Sequence, residues 1–153
     1  RAEELPERIS ELLGKMKEIE KELAVVRSAQ ALGQVDSLLK GAKVIGGTTV
    51  ITALLPDSIA ADDLRKIALD LRNRTAQSAV ALISSVDSKP VLIVAVSEKA
   101  REQGLKAGAL VKIGSTILGG GGGGKDDVAQ GGGVDASKSS LALAAIEDSI
   151  AGN

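Results

Sequence analysis

The sequence predicts an α/β (α+β) protein: a long N-terminal helical arm or hairpin, then a small sheet domain flanked by helices and carrying a glycine-rich loop. Three features lead there. Apolar residues recur in heptads at the start, and two short aliphatic runs sit side by side in the middle. Near the end lies "ILGGGGGGKDDVAQGGGVD", in which nine of nineteen residues are glycine. A length of 153 residues suits one domain with an appendage. The arm is expected over residues 1–40 and the globular part over 41–153.

The arm rests on Leu5, Ile9, Leu12, Met16, Ile19, Leu23 and Val26, spaced 4-3-4-3-4-3 with charged residues filling most other positions. That spacing is a seam of about three heptads, and these seven residues are the candidates for self-association. Pro6 suits a first helical turn, where its missing N–H costs nothing. Through "RSAQALGQVDSLLKGAK" the pattern loosens, and a long helix or bent pair is expected to reach about Lys40, with Gly33 as a weak point. The opening at Arg1, in mid-pattern and without an initiator Met, reads as the edge of a longer chain.

The globular part opens with "KVIGGTTVITALLP", a hairpin turning at Gly46-Gly47. "DSIAADDLRKIALDLRNRT" is amphipathic, with Ala60, Leu64, Ile67, Ala68 and Leu71 on one stripe and Arg65, Lys66, Arg72 and Arg74 off it or at its margin. "AVALISSV" and "PVLIVAVS", joined by "DSK", suit strands buried on both faces. "KAGALVKIGSTIL" is expected to be a helix with Leu110, Ile113, Gly114 and Ile117 inward. "SKSSLALAAIEDSIAG" closes as a helix capped by Ser137 or Ser139.

Composition restricts the chemistry. The chain has no Phe, Trp, Tyr, His or Cys. Thiolate nucleophiles, imidazole bases and ordinary zinc sites are thereby excluded, as is base stacking on aromatic side chains. No run of about 18 apolar residues exists to span a membrane, and "RAEELPERIS" has no signal-peptide core. A cytoplasmic location is the expectation. Net charge is −1, but residues 65–112 carry nine Lys/Arg against four Asp/Glu, a balance of +5, whereas 113–153 carry two against five, a balance of −3. A local basic face and ordinary solvated helix charges both fit that distribution.

The glycine stretch has three readings. "GGGGGGK" satisfies the phosphate-loop spacing but is followed by Asp126 and Asp127 where a Ser or Thr should bind magnesium, and it follows a helix rather than a strand. A slack linker should join two folding units, yet only 29 residues with one amphipathic helix follow Gly124. The third reading is a structured loop pair offering backbone N–H groups to an anion, with Asp126 capping a short helical turn through "DVAQ". Lys125 and Gln130 would then be its donor side chains. Such a surface suits a sugar–phosphate backbone.

Taken together, the heptad helix, "LLKGAKVIGGTTVITALL", "VLIVAVSEKAREQGLKAGALVKIGSTILGGGGGGKDDVAQGGG" and the closing helix resemble the C-terminal portion of the bacterial-type alanyl-tRNA synthetase family. The globular part looks like the DHH-associated domain shared with a superfamily of phosphoesterases. The resemblance implies a module that follows the aminoacylation and editing domains and contacts the outer corner of tRNA, where the D and T loops meet. It also implies that the module brings the two catalytic domains together and, in some members, dimerises. The ATP, alanine and zinc sites of that family would lie outside this segment, so no cofactor is expected here. Position by position, the family loop falls on Gly119, Gly120, Gly121, Gly122, Gly123, Gly124, Lys125, Gln130, Gly131, Gly132 and Gly133. Phosphoesterase relatives place a histidine after the glycine triplet, where this chain has Val134, which argues against phosphodiesterase chemistry.

The expectation is therefore a non-catalytic tRNA-binding and assembly module. Its RNA contacts would come from the glycine loop with Lys125 and Gln130, and from Arg65, Lys66, Arg72, Arg74, Lys106 and Lys112. A homodimer through the seam, the globular part or both accompanies that expectation. The alternative is a purely structural dimerisation module without RNA affinity.

Overall fold

The computed structural model describes residues 5–33, 35–55 and 59–152. The apolar seam forms a single helix, α1 (Leu5–Gly33), about 43 Å long at about 1.5 Å per residue. It ends at the expected weak point, and a short α2 (Val35–Lys40) follows. All seven seam residues are exposed, from 45% at Leu23 to 62% at Ile19. The chain turns inward at α2, where Val35 is buried and Leu38 and Leu39 pack on the core.

The sheet has six strands: β1 (Lys43–Ile45), β2 (Thr48–Leu54), β3 (Ser78–Val86), β4 (Lys89–Val96), β5 (Gly122–Gly124) and β6 (Val128–Gly132). Their spatial order is β1-β2-β3-β4-β6-β5. Only the β2–β3 pair is parallel. Its connection runs through α3 (Ala61–Arg74), as a parallel pair demands a crossover. The two tight hairpins turn where the sequence predicts. Gly46 and Gly47 have φ of 57° and 86°, and Asp87 and Ser88 have 51° and 64°. Positive φ at both central residues gives the turn whose twist matches the strands.

Strands β3 and β4 are buried on both faces, as their unbroken aliphatic runs require. Ala79, Ala81, Ile83, Leu92, Val94 and Val96 face one core, with Leu110, Val111, Leu118, Ala142 and Ile146 opposite. Val80, Leu82, Ile93 and Ala95 face the other, under Leu64, Ile67, Ala68 and Leu71 of α3. Helices α5 (Ala107–Ile117) and α6 (Ser139–Ala151) thus cover one face of the sheet, and α2 and α3 the other.

Several local expectations need correcting. Helix α3 starts at Ala61; Asp57 and Ser58, expected within it, lie outside the described residues. Ile113 is only half-buried, and Val111, Ser115 and Leu118 take the inward positions beside Leu110 and Gly114. The stripe is rotated because α5 packs against the glycine strands as well as the central sheet. "DVAQ" is not a helical turn: it forms most of β6, paired with β4 from Val91↔Gly132 to Ala95↔Val128. A short helix absent from the sequence reading, α4 (Glu98–Glu102), begins after Ser97. The Ser97 hydroxyl accepts from the Ser78 N–H at 2.8 Å and the Ala100 N–H at 3.4 Å. Neither Ser137 nor Ser139 caps α6. Instead Asp135 caps a 3-10 turn over Ala136–Lys138, accepting from the Ser137 N–H. Hydrogen bonds from Ser137 hold the Asp135 carboxyl below its usual range.

The glycines divide by what a side chain would meet. A Cβ at Gly120 would stand 2.2 Å from the Gly132 carbonyl oxygen, and one at Gly133 would stand 2.2 Å from that of Leu118. At Gly121 and Gly123 nothing lies within 4 Å. Gly133→Ala is therefore expected to cost about 1–3 kcal/mol, the usual penalty of overpacking. Gly123→Ala should leave stability within about 1 kcal/mol of the parent. Urea unfolding of the two variants checks both, and equal costs would contradict the division.

Candidate nucleic-acid interface

β5 and β6 form a hairpin at the sheet edge, with Gly122↔Gly131, Gly123↔Gln130 and Gly124↔Ala129 in register. Successive strand residues face opposite sides, so the hairpin has two unlike faces. Gly122 and Gly131 lie against α5. A Cβ on Gly122 would meet Val111 Cγ1 at 2.7 Å, and one on Gly131 would meet Ser115 Oγ at 2.0 Å. Only bare backbone lets a helix come this close. Gly123 and Gln130 face the other way, toward the side covered by α3.

Helix α3 does not reach across this second face. Leu82, Ile93, Gln130 and Gly123 form one row across β3, β4, β6 and β5. The first two are fully buried, whereas Gln130 and Gly123 are exposed. The step between helix and hairpin is a groove of about 180 Å³, lined by Arg65, Ile93, Gly123, Gly124, Lys125, Val128, Ala129 and Gln130. Arg65 and Lys125 are exposed and have no ion pair or side-chain hydrogen bond among the described residues.

The other cations expected at an RNA surface lie elsewhere. Arg72, seven residues after Arg65 and so on the same flank of α3, is only 20% exposed and turned to the start of β6. It donates to the Asp127 carbonyl at 3.4 Å and lies 3.9 Å from the Asp127 carboxylate. That carboxylate also accepts from the Val128 N–H at 3.0 Å. One of the two acidic charges beside the glycines is thereby matched. Lys66 pairs with Asp63 at 3.6 Å and Arg74 with Asp70 at 3.2 Å, both along α3. Lys106 and Lys112 are exposed at the start of α5 and within it, on the helix that covers the opposite face. The structure therefore brings Arg65, Lys125 and Gln130 together with Gly123 and Gly124 around the groove, which neither Lys106 nor Lys112 lines.

The backbone donors divide too. The N–H groups of Gly119, Gly120, Gly132 and Gly133 donate to the carbonyls of Thr116, Ser115, Gly121 and Pro90, and that of Lys125 donates to Val128. Those five are committed to the fold and unavailable to an anion. Ile93, Val128 and Ala129 were absent from the sequence reading of the site; strand register alone places them there. Among the described residues no cluster of acidic residues could hold a metal ion, and no helix is long and apolar enough to cross a membrane.

Comparison with known proteins gives this geometry a family. The chain is 45% identical over 150 residues to an alanine–tRNA ligase of Streptomyces avermitilis, covering 96% of this chain and 17% of that protein. It is 49% identical over 150 residues to the corresponding ligase of Paenarthrobacter aurescens, covering 97% and 17%. The chain thus spans about a sixth of the length of these curated relatives. Among solved structures, the C-Ala domain of Aquifex aeolicus alanyl-tRNA synthetase superposes with a TM-score of 0.67 at 26% identity, covering 72% of this chain and 97% of that one. The signature of the DHHA1 domain runs over residues 47–152, from the Gly46-Gly47 turn to the end of α6. This chain belongs to the DHHA1 domain family.

Proposed function

We propose that the chain is a non-catalytic tRNA-docking and assembly module of an alanyl-tRNA synthetase. It contacts the outer corner of tRNA and holds the aminoacylation and editing functions of the larger enzyme on one substrate. The observation that carries this reading is the similarity of nearly the whole chain to one sixth of alanine–tRNA ligases. The groove beside β5 and β6 supports it, because Arg65 and Lys125 present cations that no carboxylate among the described residues neutralises. No cofactor takes part within this segment, and the module works in the cytoplasm.

RNA is held through phosphate and ribose, since the chain has no aromatic side chain on which a base could stack. Contact is therefore with shape rather than base sequence. Fluorescence anisotropy with a labelled tRNA tests this. Two or three neutralised phosphates should lower affinity about tenfold to fortyfold between about 50 and 200 mM salt. A tRNA with its D–T loop contact broken should bind more weakly. Absence of binding at micromolar protein would overturn the reading.

A second reading is favoured by α1, whose seven seam residues are all exposed. An apolar stripe of that length at heptad spacing suits burial against another helix, and a purely structural dimerisation module would need nothing more. The two readings differ in their variants. Leu12→Glu with Ile19→Glu should abolish self-association in sedimentation equilibrium under either one. Lys125→Glu should weaken tRNA binding and leave the sedimentation unchanged only if the chain docks RNA.

A further inference from the structure

The geometry points to the α3–β5 groove as a subsite for a single ribose–phosphate unit of RNA, with Gly123 keeping it open. This rests on the tRNA-docking reading and names the place and the unit. The groove holds about 180 Å³ and has walls of two kinds. Arg65 from α3 and Lys125 from the hairpin turn are cationic, exposed and free of ion pairs among the described residues. Half-buried Val128 supplies an apolar floor, and exposed Gln130 lines the groove beside it. Cations suited to a phosphate, an amide suited to hydroxyls and an apolar floor suited to a sugar's carbon face match one nucleotide's backbone.

Gly123 explains why this space exists. It stands directly across from Gln130, and any side chain there would project into the groove rather than into the fold, because nothing lies within 4 Å of an added Cβ. Its φ lies outside the left-handed region, so the backbone does not require glycine. Gly122 and Gly124, its neighbours, would press an added Cβ on Gly131 and Ala129 and are glycine for packing. Gly123 has no such reason. Gly121 is equally open but does not line the groove.

The test measures tRNA affinity and thermal midpoint for Gly123→Val, Arg65→Ala and Lys99→Ala beside the parent chain, Lys99 being an exposed cation of α4 that does not line the groove. Gly123→Val and Arg65→Ala should each weaken binding by about tenfold, the effect of one charge-assisted hydrogen bond. Lys99→Ala should bind like the parent, and Arg65→Ala should keep the parent's midpoint. Parent-like binding by Gly123→Val, or by Arg65→Ala, overturns the subsite while leaving tRNA docking intact. A parent chain that binds no tRNA defeats the docking reading, and the subsite with it.

Discussion

The close approach of α5 to the glycine hairpin is the constraint on which the rest of the structure depends. Ser115 Oγ occupies the space a Cβ of Gly131 would need, and Gly120 and Gly133 lie against carbonyl oxygens. The contact is fastened by backbone bonds at both ends of the helix. The Ala107 N–H donates to Asp126 at 3.0 Å, the Gly120 N–H to Ser115 at 2.9 Å, and the Val134 N–H to Leu118 at 2.9 Å. The arrangement has a cost: the Ser115 hydroxyl is buried without a hydrogen-bond partner among the described residues, a penalty of about 1–3 kcal/mol. Even so, it seats β6 beside β4, completes one core and fixes which residues of the hairpin look away from α5.

Those outward residues are where chemistry can occur. One strand pair serves two purposes because its faces alternate: Gly122 and Gly131 are glycine so that a helix can approach, while Gly123 leaves a space that α3 does not fill. Arg72 bridges the two layers by meeting Asp127, so Arg65 remains as the cation of α3 that reaches the groove. The long α1 leads into α2, whose Val35 is buried in the core with Leu38 and Leu39 packed against it.

Much of the fold was legible because its signals are local. The aliphatic runs of β3 and β4, the Gly46-Gly47 turn and the heptads of α1 each report their surroundings within a few residues. The glycine hairpin was not legible in that way. A strand of glycine has no alternation of side chains to read, and its pairing with β4 joins residues far apart in sequence. "DVAQ" therefore looked like a capped turn, and Ile113 looked inward because the contact that rotates α5 could not be seen. The basic residues were identified as a set, but their division among a groove, ion pairs and the opposite face follows from register and helix position. Gly121 and Gly123 are indistinguishable from their neighbours in the sequence; only the space around each separates them.

The most direct measurement is an amide correlation spectrum of the nitrogen-labelled chain with and without unlabelled tRNA. If the α3–β5 side is the docking face, resonances of Arg65, Gly123, Lys125 and Gln130 shift together and those on the outer face of α5, Lys112 among them, stay in place. Shifts confined to α1 or to α5 would contradict it, because the groove would then be a consequence of the fold and not the surface that meets RNA.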